Sequence, residues 1–186
     1  MRAIVGLGNP GSRYAHTRHN VGFMLLERLA ERWKITFDRE KYQARIAAVQ
    51  VARETLWLVQ PQTYMNESGR AVAPILRRHV HDTQKLLIVY DDIDLPLGRL
   101  RLRARGSAGT HRGLASVLTT TGTQEIPRLR LGIGPKPEGM DLADYVLSTF
   151  TPEEKPKVEE MLRRAEEIVI LWLEQTLEAA MNVCNR

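Results

Sequence analysis

Cysteine is almost missing from this chain. Cys184, close to the C-terminus, is the only one in 186 residues. An internal disulfide framework is therefore excluded, and a lone thiol suits a reducing compartment. Long apolar runs are missing too, so no stretch approaches a membrane span, and the N-terminus shows neither an extended apolar region nor a cleavage-site pattern. A soluble, cytoplasmic protein is the expectation. Repeats, low-complexity tracts and linkers are also lacking. The chain is read as one domain over 1–186, long enough to bury a substantial core without disulfides or metal. No nucleophile elbow of the G-x-S-x-G kind occurs and Cys184 sits in a terminal tail, which disfavours a serine or cysteine nucleophile.

Acidic residues are lacking in one long stretch. None lies between Asp94 and Glu125, where Arg99, Arg101, Arg103 and Arg105 alternate and so share one face of a predicted strand. Arg128 and Arg130 repeat the alternation on a later strand. Like charges in a row repel unless an anion meets them, so this face is read as phosphate-binding rather than merely solvated. The net charge of +5 agrees with a polyanionic partner.

Apolar patterning predicts strands over Arg2 to Gly6, Ala44 to Ala52, Leu56 to Gln60, Leu86 to Tyr90, Leu100 to Ala104 and Leu129 to Ile133. Helices are predicted over Val21 to Trp33, from about Ser68 to Arg78 with a disturbance at Pro74, over His111 to Thr119, and along a C-terminal stretch. That last helix opens on a capping box, Thr151-Pro152-Glu153-Glu154, and its apolar stripe runs from Val158 through Met161, Leu162, Ala165, Ile168 and Val169 to Trp172. Strands interleave with helices, giving an α/β class. The neighbouring strands around residues 44–60 suggest an antiparallel hairpin in a mixed sheet.

The opening segment, Gly6-Leu7-Gly8-Asn9-Pro10-Gly11, spells G-x-G-x-x-G but lacks that motif's context. A dinucleotide turn must open directly into a helix, whereas Pro10 to Asn20 has no helical apolar period, and the nearest acids fall inside the helix that begins at Val21. The better reading is a long loop offering Asn9, His16, His19 and Asn20, with Asn20 equally suited to capping the helix. Three more turn-rich polar segments follow apolar runs. They are Gln60 to Gly69, where Asn66 is a cap or a substrate-facing amide; Asp91 to Gly98, where Asp91, Asp92 and Asp94 suggest a divalent metal or a carboxylate serving a histidine; and Gly106 to Gly113, a flexible turn opening a helix.

Seven collinear blocks make the chain resemble the bacterial-type peptidyl-tRNA hydrolases. They are Val5 to Gly11 with Tyr14, Thr17-Arg18-His19-Asn20, Tyr64 to Gly69, Asp91 to Pro96, Gly109-Thr110-His111, Arg128 to Gly134, and Tyr145-Val146-Leu147 before Phe150. The resemblance implies a monomeric, single-domain α/β fold with a twisted mixed β-sheet flanked by α-helices. It implies hydrolysis of the ester between a peptide and the 3′ end of tRNA, without metal or organic cofactor. His19 would be the general base and Asp91 the carboxylate that orients it. Asn9, Tyr14, Met65, Asn66, His111 and Arg112 would face the substrate, and Arg101, Arg103 and Arg130 would grip acceptor-stem phosphates. One position departs from the pattern: Arg112 stands where the family usually has asparagine, exchanging an amide for a cation without an acceptor oxygen. A catalytically silent RNA-binding homologue of the same fold is the alternative this raises, and a metal-dependent phosphohydrolase built on the three aspartates is a third.

Overall fold

The computed structural model describes residues 1–186. The most apolar runs, which cannot leave a face in water, form the middle of the sheet. Strand β1 (Arg2–Gly6) lies parallel between β4 (Glu54–Pro61) and β5 (Leu86–Pro96). Two antiparallel strands, β2 (Arg39–Lys41) and β3 (Ala44–Val51), extend the sheet beyond β4, and β7 (Arg128–Gly134) and β6 (Leu100–Arg103) complete the other side. The order is β2-β3-β4-β1-β5-β7-β6. The mixed sheet and the hairpin expected around residues 44–60 are both present.

Helices cover both faces. Helix α1 (Val21–Arg32), α5 (Lys155–Glu174) and α6 (Leu177–Cys184) pack on one face, and α2 (Gly69–Ile75) and α3 (Arg112–Thr121) on the other. A short helix, α4 (Leu142–Val146), adds Tyr145 to the first core. The predicted stripe from Val158 to Trp172 is buried throughout. At roughly 1.5–3 kcal/mol for each fully buried large side chain, that one face is a main source of stability. The opening of α1 is tight, because a side chain at Gly6 would meet the Gly22 carbonyl oxygen at 2.5 Å.

Several element bounds differ from expectation. Strand β5 runs on through Pro96 with an irregularity after Asp92, made possible because Gly132 leaves room for the Pro96 carbonyl to cross it. Helix α2 tolerates Pro74 but ends at Ile75 and passes into a π-helical turn over Leu76–Val80. The Thr151–Glu154 box forms reciprocally at 2.8 and 3.3 Å, while Pro156 falls in the first turn of α5, where no intrahelical donor is needed. The C-terminal stretch is two helices, the second capped by Thr176. Arg99 and Arg105 lie outside β6, so the expected run of four arginines on one strand shortens to Arg101 and Arg103.

The topology sets the position of the site. The chain leaves β1 for β2–β4 on one side and then crosses from β4 to β5 on the other, so a crevice opens at the carboxyl ends of these strands. The loops after β1 and β4 and the far half of β5 converge there.

Candidate active site

A cleft of about 680 Å³ occupies this crevice, and Asn9, His19, Met65, Asn66, Asp91, His111 and Arg112 all line it. The loop after β1 ends in a 3₁₀ turn, Arg18–Asn20, which lifts His19 into the cleft. Arg18, beneath it, is buried and held on three sides. It makes a two-pronged ion pair with Glu154 at 2.9 Å on each arm, donates to Ser148 Oγ at 2.9 Å, and lies over the rings of Tyr145 and Phe150. The turn carrying His19 is thereby anchored to the start of α5. Nothing in the sequence marks this role except that Arg18 precedes His19 in the same block.

His19 Nδ1 lies 2.7 Å from Asp91 Oδ2, and His111 Nε2 lies 2.8 Å from Asp91 Oδ1. One fully buried carboxylate thus bridges two imidazoles. Burial works against the charged form of Asp91, but the two histidines overcome it and hold the carboxyl well below the usual carboxylate range. An ionised carboxylate only accepts, so Nδ1 of His19 carries the proton and Nε2 is left as a lone pair toward the cleft. Burial lowers the basicity of His19, whereas the charge and hydrogen bond of Asp91 raise it, and the net shift is upward.

Asn9 is fixed from two sides. Asn20 Oδ1 accepts from the Asn9 backbone N–H and its Nδ2 donates to the Asn9 carbonyl, each at 2.9 Å. Asn20 makes no cap hydrogen bond to α1, which corrects the capping role expected for it. The Asn9 side-chain oxygen accepts from the Met65 backbone N–H at 2.8 Å, which orients its amide donors to the cleft. Asn66 is exposed on a 3₁₀ turn, Met65–Glu67, and caps no helix. Met65 is buried in the wall, and Tyr64, at a positive φ of 63°, stands on the rim. Tyr14 does not line the cleft. It meets the edge of the Tyr64 ring at a centroid distance of 6.4 Å, so its nearest service to the site is to hold Tyr64.

The three aspartates do not converge on an ion. Asp91 serves the histidines, Asp92 pairs with Arg130 Nε at 2.6 Å and accepts from the Asp94 backbone N–H at 2.8 Å, and Asp94 is exposed. The tightest group of ligand-type atoms is instead His19, Asp91 and His111, within 4.8 Å of one another. Its inward nitrogens carry the protons bonded to Asp91 and offer a cation no lone pair.

The basic residues divide. Arg103 and Arg130 line the cleft, with Arg103 exposed and free of any protein partner. Arg101 is not brought there: its guanidinium donates to the Asn185 carbonyl at 2.7 Å, tying the C-terminal tail to β6. The cleft lining therefore gives the expectation that Arg101 grips phosphate no support. Arg128 also lines the cleft but is buried, and its guanidinium donates to the carbonyls of Ile126, Ser107 and Gln124 at 2.9–3.1 Å, tethering the loop that precedes α3. His111 also departs from its expected role, because both its ring nitrogens are occupied by protein partners and neither is free for substrate.

Comparison with known proteins shows the family. The peptidyl-tRNA hydrolase family model matches residues 3–186. The chain is 52% identical over 186 residues to peptidyl-tRNA hydrolase of Chloroflexus aggregans, covering 100% of this chain and 99% of that one. It is 46% identical to that of Desulfitobacterium hafniense, over the full length of both. The fold matches the crystal structure of peptidyl-tRNA hydrolase from Acinetobacter baumannii with a TM-score of 0.92 at 33% identity, covering 98% of this chain and 93% of that one. Family model, relatives and fold agree, and the chain belongs to the peptidyl-tRNA hydrolase family.

Proposed function

We infer that this protein hydrolyses the ester joining a peptide to the 3′-terminal nucleotide of tRNA, releasing free tRNA. The observation that carries the reading is the His19 and Asp91 pair: a histidine whose outer nitrogen is forced to be a lone pair, at the mouth of a cleft with an arginine wall. His19 Nε2 takes a proton from water as the oxygen attacks the ester carbonyl, and Asp91 stabilises the imidazolium that forms. The amide donors of Asn9 and Asn66 stabilise the oxygen that becomes negative. As the bond from carbonyl carbon to ribose oxygen breaks, His19 returns the proton to that oxygen. The products are a peptide carboxylic acid, which then releases its proton to water, and a tRNA hydroxyl, so the reaction balances without an external acid.

Arg103 and Arg130 are suited to acceptor-stem phosphates, with Arg130 keeping donors beyond its pairing with Asp92. No helix is long and apolar enough to cross a membrane. We propose that the protein acts as a cytoplasmic monomer, a reading supported by a complete site within one chain. The test is incubation with N-acetylaminoacyl-tRNA in excess chelator. Release of free tRNA is expected. Tight binding without release would favour the silent RNA-binding alternative, and loss of release only with chelator would favour metal-dependent chemistry.

A further inference from the structure

Among the groups lining the cleft, His111 has the least evident role, since neither of its nitrogens reaches substrate. Its Nδ1 lies 3.1 Å from the backbone N of Leu114, in the first turn of α3. A backbone N–H can only donate, so Nδ1 must be the acceptor and Nε2 must carry the proton. That proton points at Asp91 Oδ1, 2.8 Å away. The helix start thus fixes the tautomer, and the tautomer fixes a neutral donor on the buried carboxylate. The ring itself is wedged. The Tyr90 ring meets it nearly edge-on at 4.8 Å, His19 lies at 5.2 Å, and a side chain at Gly113 would come within 3.0 Å of its Cε1.

We propose that His111 is a positioning residue for the hydrolysis: its Nε2–H clamps Asp91 through Oδ1 so that Oδ2 stays aligned on His19 Nδ1. The proposal rests on the general-base reading of His19 given above. Asp91 has no other side-chain partner, so without His111 its carboxylate is free to turn about its own axis. The clamp also shares the carboxylate charge between two donors, which limits how strongly Asp91 holds the His19 proton. The other charged or titratable groups nearby are Tyr90, Asp92 and Asp94 on β5, Arg112 on α3, Arg128 and Arg130 on β7, and Asp141 before α4. None of them hydrogen-bonds to Asp91 or to either imidazole.

The two nitrogens of His111 can be tested separately. His111→Asn places an amide oxygen near Nδ1, keeping the α3 cap and losing the clamp. His111→Gln places an amide N–H near Nε2, keeping the clamp and losing the cap. The measurements are kcat/KM against pH on N-acetylaminoacyl-tRNA, the NMR titration of the His19 ring, and the melting temperature of each variant. In His111→Asn the acid limb and the His19 titration should move upward together by about half a unit to one unit, and kcat should fall with KM little changed. His111→Gln should return both to the wild-type position while lowering Tm. An unmoved limb in a folded His111→Asn overturns the clamp alone, provided the wild-type limb follows the His19 titration. If the wild-type limb does not follow it, the general-base reading falls and the clamp with it.

Discussion

At His19, the proposed general base, the competition between burial and a neighbouring anion decides when the ring is free to accept a proton. Burial favours the neutral ring, yet the Asp91 carboxylate at 2.7 Å outweighs it, so proton loss occurs above the ordinary histidine value and activity must rise with pH through that raised pKa. Asp91→Asn keeps a hydrogen-bond partner but removes the charge. The acid limb of kcat/KM should therefore move to lower pH while the plateau falls, because the imidazolium formed in the transition state loses its counter-charge. His19→Ala should lower kcat by roughly a hundred- to ten-thousandfold with tRNA binding retained, as single-turnover kinetics would report. Arg112 poses the opposite case, a cation exposed in the cleft with no protein partner. Arg112→Asn should stay within about tenfold of wild type, whereas Arg112→Glu should lose about 2 kcal/mol of transition-state stabilisation, read from kcat/KM, by setting an anion beside phosphates and a developing oxyanion. A silent wild type awakened by Arg112→Asn would overturn the esterase reading. His19, Asp91, Asn9 and Asn66 were legible in the sequence because each falls within an ordered block of letters. The work of Asn20 and the tautomer of His111 were not, since they depend on contacts with Asn9 and Leu114 whose geometry exists only after folding.

Elements were legible where burial imposes a period. Helix α5 shows this best, its whole stripe being written in the sequence, and β1 and β4 reveal themselves as apolar runs. Strand β2 has no such signal: its three residues are all exposed, and it exists because β3 offers an edge to pair with. The extension of β5 past Tyr90 was hidden for a related reason, since Asp91 and Asp92 look like loop residues until His19, His111 and Arg130 satisfy them. Between elements, Glu54 at the start of β4 gathers the N-terminal amine, Arg2 of β1 and Lys85 just before β5 at 2.8–3.3 Å. Lys85 foremost, against some opposing burial, and then Arg2 and the amine hold its carboxyl down to about 2. A carboxylate depressed in the folded state stabilises above its unfolded pKa and loses that contribution as pH falls through the folded value. Tm should accordingly decline between about pH 5 and pH 2. Glu54→Gln should flatten that part of the profile in calorimetry and leave the neutral-pH rate of hydrolysis unaltered.

Across the whole molecule, the sheet order separates two kinds of wall around one crevice. Because β1 sits between β4 and β5, the groups proposed as catalytic gather at their carboxyl ends, and the β7 and β6 side carries the cations. The excess of arginine over acid in this stretch was visible in the sequence, but its division was not. Arg101 is committed to the C-terminal tail, Arg128 to the loop before α3 and Arg130 in part to Asp92, which leaves Arg103 as the exposed cation without a protein partner on this wall. Arg130 is therefore a poor probe of phosphate binding, since its removal also leaves Asp92 unpaired. Arg103→Ala breaks no side-chain hydrogen bond or ion pair within the fold, so it tests chiefly the substrate charge. It should weaken binding of peptidyl-tRNA and reduce the slope of log affinity against log salt by about 0.9, the contribution of roughly one duplex phosphate contact. Hydrolysis of a minimal peptidyl-nucleoside ester, which has no acceptor stem, should change little. Equal losses on both substrates would instead place Arg103 in the reaction itself, and an unchanged salt slope would remove it from the tRNA contact.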